Sequence, residues 1–245
     1  MSEDLVYGIH AVGQRLQRAP APGATLYCAR RRNPRLLRLI DQARLAGIEV
    51  QLVERGQLDE LAGSERHQGC VLRAEAGAPK LAFADCLRTI APHSLLLVLD
   101  GVQDPHNLGA CLRSADACGV DAVIIPRDRS ASVNATVRKV AAGGAESVPV
   151  IEVTNLARSL KELQQAGVWI YGTCGDAATT LYDAAFDGPL ALVMGAEGSG
   201  LRRLTREACD HLVSLPMHGR VESLNVSVAT GVCLYEILRQ RAAAK

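Results

Sequence analysis

From residue 94 onward, short apolar runs alternate with stretches of helical periodicity. The apolar runs lie at 95–99, 122–125, 148–151, 168–171, 190–194 and 212–215. Continuous runs of this length are typical of strands that are buried on both faces of a parallel sheet. Helical patterns lie between and after them at 108–118, 134–141, 155–166 with Thr154 as N-cap, 203–209 and 227–240. The alternation predicts an α/β domain whose mostly parallel sheet is covered by helices on both faces.

The preceding residues predict a smaller α/β unit of their own. Its predicted elements are a helix after 7–12 that ends near Pro20 and Pro22, a strand at 26–28, a helix at 34–46 closed by Gly47, a strand at 48–53, a helical turn at 58–61 and a strand at 68–72. Residues 75–80 have turn residues and no periodicity, and a short helix is predicted at 85–90. We therefore expect a domain at 1–74, a linker at 75–92 and a second domain at 93–245.

Composition narrows the class of protein. Aromatic residues make up only 3% of the chain, so the core must be built from aliphatic side chains. No apolar run approaches the roughly 18 residues of a membrane span, and the first ten residues are acidic where a signal peptide is basic. These features predict a soluble cytoplasmic protein.

The cysteines and histidines predict neither disulfides nor a metal site. All eight cysteines are scattered without a Cys-x-x-Cys pair, so we expect reduced core residues. His106, His211 and His218 lie in separate segments, whereas a zinc site needs clustered ligands. We expect no metal.

Basic residues are concentrated near the N-terminus. Residues 1–73 hold eleven basic against eight acidic side chains, and the excess centres on Arg30, Arg31, Arg32, Arg35 and Arg38. Such a cluster can contact several RNA phosphates if it lies on one face. On charge alone, a solvated helix start explains it equally well.

Three loops that follow predicted strands carry polar residues suited to a ligand site, because ligands of parallel α/β sheets bind outside the carboxyl ends of the strands. The loop at 100–114 holds Asn107 and Arg113, and the loop at 194–201 holds Gly195 and Glu197. The third, at 215–229, contains Leu-Pro-Met and then Ser-Leu-Asn-Val-Ser-Val-Ala. Each segment alone has an ordinary explanation: an N-cap at Asn107, a surface residue at Arg113, a turn before a helix at 223–225.

Together and in this order, the three segments resemble the motifs of SpoU/TrmH-class RNA ribose methyltransferases of the SPOUT superfamily. The matching stretches are NLGACLRSAD, VMGAEGSGL, and LPM followed by SLNVSVATG. The resemblance covers about residues 95–241. Including the N-terminal unit, it is closest to the members that methylate a guanosine of large-subunit (23S) ribosomal RNA, which implies a target in the peptidyl-transferase loop.

The resemblance implies a parallel α/β fold with a deep C-terminal trefoil knot, which sequence patterns alone would not suggest because knots are so rare. It implies that S-adenosylmethionine binds in the knot, at positions that correspond here to Gly195, Leu215, Met217 and Leu224. It also implies a homodimer that completes the active site at its interface.

The implied reaction is attack of a ribose hydroxyl on a sulfonium methyl group, which requires alignment and loss of a proton but no metal. By resemblance, Arg113 is the central catalytic residue and activates the hydroxyl with help from an RNA phosphate. Because a guanidinium stays protonated in proteins, we favour a role in clamping that phosphate. The other implied polar site residues are Asn107, Glu197, Ser223 and Asn225.

The N-terminal unit resembles the kink-turn-binding ribosomal-protein fold, which favours RNA contacts by Arg30, Arg31, Arg32 and Arg35. With few aromatic residues to stack on bases, we expect recognition of folded RNA through phosphates and shape.

Three alternatives stay open. One is a transfer-RNA ribose methyltransferase of the same class, and another is a ribosome-assembly factor that binds RNA without catalysis. The third is a nicotinamide oxidoreductase. The glycine spacing in the 194–201 loop disfavours it, because G-x-x-G-x-G is not the dinucleotide pattern and follows the fifth strand.

Overall fold

The computed structural model describes residues 3–18, 24–30, 33–75 and 81–243, and the chain divides into two compact units, Met1–Lys80 and Leu81–Lys245. The first unit comprises β1 (Glu3–Tyr7), α1 (Ile9–Arg18), β2 (Thr25–Ala29), α2 (Pro34–Leu45), β3 (Glu49–Val53), α3 (Arg55–Ala62) and β4 (Cys70–Glu75). Its sheet has the order β1-β4-β2-β3, in which only β2 and β3 are parallel.

Helix α2 shows why this unit folds as it does. Asn33 caps the helix by accepting a hydrogen bond from the backbone N–H of Arg35, and Pro34 occupies the first turn, where its missing N–H costs nothing. One face of the helix is buried in the core of the unit, which is built from aliphatic residues and two cysteines. The chain leaves the helix through Gly47, whose φ of +73° favours glycine.

The second unit is a seven-stranded parallel sheet with helices on both faces, as the alternating pattern predicts. Its elements are α4 (Phe83–Arg88), β5 (Leu95–Asp100), α5 (Pro105–Ala117), β6 (Ala122–Pro126), α6 (Ala135–Ala141), α7 (Gly144–Ser147), β7 (Val150–Val153), α8 (Leu156–Gln165), β8 (Trp169–Thr173), β9 (Thr179–Thr180), β10 (Leu190–Gly195), α9 (Arg203–Glu207), β11 (His211–Ser214) and α10 (Val226–Ala243). The strand order is β7-β6-β5-β10-β8-β11-β9.

Successive residues of β5 enter two different cores. Leu95, Leu97 and Leu99 pack on the side of α5 and α10, whereas Leu96 and Val98 pack on the side of α8. All six residues of the strand are buried. This two-sided burial is the reason that the strand is continuously apolar in the sequence.

Several elements differ from the sequence predictions. Strand β1 was not predicted, because it is stabilised by pairing with β4, which lies more than sixty residues later in the chain. Helix α8 is capped by Asn155 and not by Thr154, since the Asn155 side chain accepts from the N–H of Arg158. Strand β7 begins two residues later than predicted, because Val148 is the C-cap of α7 and Pro149 follows it. The short elements α7 and β9 had no sequence signal.

The predicted linker at 75–92 contains helix α4. Helix α4 buries Cys86 in the core on the α8 side of the large sheet, so residues 81–92 pack with the second unit. Residues 76–80 lie outside the described part of the chain. Within the described ranges, none of the helices is long and apolar enough to cross a membrane.

Candidate active site

The order of the large sheet brings the three predicted loops to one place. Strands β6 and β7 extend from β5 on one side, while β8, β11 and β9 extend from β10 on the other. The last residues of β5 and β10, Asp100 and Gly195, are paired neighbours. The strand order thus reverses where the loops after β5 and β10 emerge, which is the usual ligand crevice of an open α/β sheet.

The loop after β10 folds back tightly on Gly195. Ala196 and Gly200 exchange backbone hydrogen bonds of 3.1 and 2.9 Å. A Cβ atom at Gly195 would lie 2.2 Å from the carbonyl carbon of Gly200, so no other residue fits there without moving the loop. Gly200 itself needs a positive φ of +64°. The space that a side chain at Gly195 would occupy is filled by the backbone of Gly200 and Leu201, so this glycine lets the loop close on itself at the end of β10.

A buried carboxylate joins this loop to the end of β5. Asp100 is 1% exposed, and its Oδ2 accepts a 2.9 Å hydrogen bond from the backbone N–H of Arg202. Its Oδ1 lies 3.2 Å from Nε of Arg202, but the alignment is not that of a hydrogen bond. Sequence analysis did not single out this pair. The sequence feature that could have indicated this pair is an acidic residue directly at the end of a continuously apolar strand.

One carboxamide connects all three loops. Nδ2 of Asn225 donates to Oδ1 of Asn107 at 2.9 Å and to Oε1 of Glu197 at 2.6 Å. Oδ1 of Asn225 accepts from the N–H and hydroxyl of Ser227 at 2.9 and 2.6 Å, which caps the start of α10. Three of the predicted polar residues, far apart in sequence, are thereby brought together.

Asn107 is not an N-cap. Asp104 caps α5 by accepting from the N–H of His106, and Pro105 begins the helix. Asn107 lies inside the first turn, is 8% exposed and uses its side-chain oxygen for Asn225. The ordinary explanation that the sequence allowed for this residue is therefore wrong.

Arg113 and Ser223 are not joined to this network. Both are exposed, and neither makes a hydrogen bond or ion pair within the described ranges. Arg113 lies six residues after Asn107 on α5, a rotation that places it roughly 240° around the helix and about 9 Å along it. Helix α7 approaches α5 beside it, since a Cβ at Gly144 would lie 3.1 Å from Cα of Arg113. The guanidinium is available to a ligand outside the network.

The predicted apolar cofactor positions are partly open. Leu215 and Met217 are half-buried, and Leu215 packs against the core on the α5 side. Leu224 is 38% exposed, directly before Asn225. Together with Gly195, these positions offer apolar surface beside backbone polar groups.

The predicted RNA-binding arginines are described only in part. Arg30 is exposed at the end of β2 and lies 3.6 Å from Glu54, while Arg35 is exposed in the first turn of α2. Arg31 and Arg32 lie outside the described residues.

A hydrogen-bonded group of Cys174, Asp176 and Arg206, which the sequence did not indicate, lies just after β8. The thiol of Cys174 donates to Asp176 at 2.7 Å, and Arg206 donates to the sulfur at 3.1 Å and to Asp176 at 3.0 Å. Burial, followed by the hydrogen bond to Asp176, raises the pKa of Cys174. The three side chains thereby connect the end of β8 to helix α9. Among the described residues, no group of three potential ligands could hold a metal ion.

Comparison with known families matches both units. The model of the SpoU rRNA methylase family matches residues 94–235, and that of RNA 2′-O ribose methyltransferase substrate binding matches residues 5–79.

Full-length relatives carry one name. The protein from Ralstonia nicotianae is 56% identical over 97% of this chain and 96% of its own length. The proteins from Escherichia coli K12 and Vibrio parahaemolyticus are 54% and 52% identical, over 98% and 100% of this chain and the whole of their own. All three are named 23S rRNA (guanosine-2′-O-)-methyltransferase RlmB.

Among solved structures, the SpoU methyltransferase AviRb from Streptomyces viridochromogenes, in complex with the cofactor AdoMet, superposes with a TM-score of 0.82. It is 26% identical, and the match covers 98% of this chain and 91% of that one.

Proposed function

Because the chain belongs to the SpoU rRNA methylase family, we propose that it transfers a methyl group from S-adenosylmethionine to the ribose 2′-hydroxyl of a guanosine in 23S ribosomal RNA. The observation that carries the proposal is the hydrogen-bonded set of Asn107, Glu197 and Asn225, because it unites the three loops in which the family's motifs lie. The full-length similarity to proteins of that name supports the substrate.

The crevice fits the cofactor. The tight loop at Gly195 places backbone groups at the strand end where ligands of parallel sheets bind, and the partly open Leu215, Met217 and Leu224 suit the faces of an adenine ring. We assign cofactor binding to these four residues. When bound, the sulfonium supplies an activated methyl group with its own leaving group.

The chain's own residues orient the RNA for methyl transfer. Asn225 holds Asn107 and Glu197 in fixed positions, so the polar face of the crevice is already formed before the ribose arrives. Ser223 lies two residues before Asn225 and adds a hydroxyl to the same loop. Arg113 is exposed and permanently charged, which suits it to clamp an RNA phosphate beside the attacking hydroxyl.

We further propose that the C-terminal segment is threaded as a trefoil knot, that two chains form a homodimer which completes the site, and that the enzyme acts in the cytoplasm on the peptidyl-transferase loop. The insertion of β10 between β5 and β8 and the contacts of Asn225 with two earlier loops are consistent with threading. The exposure of Arg113, with no partner in the described ranges, is consistent with a site that a second subunit completes.

We assign RNA binding to residues 1–74, with contacts from Arg30, Arg31, Arg32 and Arg35. The match of residues 5–79 to a substrate-binding family supports the assignment of RNA binding to this unit.

Methyl transfer from labelled S-adenosylmethionine tests the proposal, with unmodified 23S ribosomal RNA and unmodified transfer RNA as parallel substrates. Resistance of one ribosomal RNA bond to alkaline cleavage, next to a guanosine, is the expected result. Label on transfer RNA alone would overturn the substrate, and label on neither would point to an assembly intermediate as the substrate or to a protein without methyltransferase activity.

A further inference from the structure

The first unit contains a cavity of about 520 Å³ that takes no part in the site described above. It lies where the parallel strands β2 and β3 end and where helices α2 and α3 begin, and the turn before β4 closes it. Its volume is large enough for one nucleotide and too small for a duplex.

The cavity has an apolar floor and a polar rim. Leu36 and Val53 lie at the floor, whereas the amides of Asn33 and Gln68 and four charged side chains line the rest. This combination suits a planar heterocycle with polar edges better than a bare phosphate.

Hydrogen bonds hold the turn that closes the cavity. His67 is 2% exposed, its Nε2 lies 2.9 Å from Asp59, and its Nδ1 accepts from the N–H of Gly69. Because Nδ1 accepts, the ring proton is assigned to Nε2. Gln68 adopts a positive φ of +54°, and its side chain accepts from the N–H of Ile9. A non-glycine residue held in this strained conformation indicates a preorganised surface.

Two charged side chains on the rim have no partner among the residues that the structure describes. Arg30 and Glu54 lie 3.6 Å apart, but Arg55 and Glu65, both exposed, have no hydrogen bond or ion pair within the described ranges. An arginine matches the O6 and N7 acceptors of guanine, and a carboxylate accepts from its N1–H and 2-amino group. Guanine alone among the four RNA bases presents two adjacent acceptors on one edge and two adjacent donors on another.

We propose that this cavity binds one unpaired guanine of the RNA substrate, with Glu65 and Arg55 reading its two edges. This inference rests on the proposed function. It assigns recognition of an RNA base to the first unit and methyl transfer to the second. Recognition of a splayed-out base is how proteins commonly read RNA sequence.

The test pairs protein and RNA changes in the full chain. In a 23S ribosomal RNA fragment that contains the target, each unpaired guanosine is replaced in turn by inosine, which lacks the 2-amino group. Filter binding and methyl-transfer kinetics are measured for the wild type, Glu65→Gln and Arg55→Gln. At one position, inosine should weaken RNA binding by the wild type about tenfold but hardly change binding by Glu65→Gln. For the wild type, inosine at that position should raise KM and leave kcat unchanged.

The control is Arg44→Gln, which makes the same charge change as Arg55→Gln but lies in the last turn of α2, whereas the cavity adjoins the first turn. It should keep wild-type affinity for the unsubstituted fragment, which Arg55→Gln should lower. If inosine and Glu65→Gln have additive effects at every position while the wild type methylates the RNA, the cavity assignment is wrong and the proposed function stands. If the wild type binds the fragment without methylating it, the proposed function fails, and the binding comparison still decides on the cavity.

Discussion

Asn225 serves the fold and the candidate site through opposite ends of one carboxamide. Its oxygen caps α10, and its nitrogen donates to Asn107 and Glu197. An ionised aspartate can still accept the capping hydrogen bonds but has no hydrogen to donate to Asn107 and Glu197, so the two roles can be separated by substitution.

We expect Asn225→Asp to lower kcat by about 10²-fold while α10 stays capped, because a second carboxylate would then face Glu197 across a contact that is now 2.6 Å. Circular dichroism reports the helix, and methyl transfer reports the site. Glu197→Gln should restore part of the activity of Asn225→Asp, since the glutamine can donate to the new carboxylate. Purely additive losses in the double variant would contradict the network.

Arg113→Ala should lower turnover about 10²-fold or more while S-adenosylmethionine binding changes less than twofold, because the proposed role of the side chain is to clamp an RNA phosphate and not to hold the cofactor. Its exposure predicts a change in the free energy of unfolding of only about 0.5 kcal/mol. Single-turnover kinetics and calorimetric titration measure the two effects. Lys161→Ala, an exposed cation on α8, serves as the control and should behave as the wild type. Loss of cofactor binding with turnover retained would contradict this role.

At the residue scale, the sequence could indicate the site only through its resemblance to a family. Asn107, Glu197 and Asn225 lie up to 118 positions apart, and no local spacing predicts that one amide joins them. The Asp100–Arg202 pair was missed because an acidic residue at a strand end is common. Only the fold shows that this one is buried.

At the element scale, the sequence best predicted the strands that are stabilised by burial of apolar residues. The six apolar runs correspond to β5, β6, β7, β8, β10 and β11. Elements stabilised by distant partners were missed: β9 has two residues and exists only because β11 lies beside it. Strand order and any threading of the chain are likewise properties of contacts that local patterns do not contain.

The pair that joins the loops after β5 and β10 should respond asymmetrically to mutation. Arg202→Ala leaves the buried carboxylate of Asp100 without its cation, whereas Asp100→Asn leaves a half-exposed guanidinium that water can solvate. We therefore expect Arg202→Ala to lower the free energy of unfolding by about 3 kcal/mol and Asp100→Asn by less. Urea denaturation of both variants measures the difference. Equal losses would show that the hydrogen bond from the backbone N–H of Arg202 is enough to stabilise the buried carboxylate of Asp100 without the guanidinium.

At the scale of the whole molecule, the cysteines make stability sensitive to alkali. Burial raises the thiol pKa from 9.0 to about 12 for Cys28, Cys70, Cys209 and Cys233, and to about 11 for Cys111. The folded protein thus keeps these thiols neutral where the unfolded chain ionises them. The stability that results is fully present below pH 9 and is lost as the pH rises toward 12.

Urea denaturation between pH 9.5 and 11, under reducing conditions, should show a steep fall in the free energy of unfolding. A fully buried thiol such as Cys233 contributes a slope of about 1.4 kcal/mol per pH unit in this range. Cys233→Ala should therefore unfold with a shallower pH dependence than the wild type. The same slope in both proteins would mean that other groups, such as tyrosines and lysines, dominate.

The central position of β10 has a consequence for the synthesis of the chain. The ribosome produces β6, β7 and β8 before the strand that must lie between β5 and β8. At roughly 5–20 residues per second, the nascent chain spends seconds with one edge of β5 and both edges of β8 unpaired. Such edges can pair with each other out of order or with neighbouring chains. The nascent protein is therefore most vulnerable to misfolding before residue 190 emerges, and a pause in translation there would lengthen the exposure of these edges.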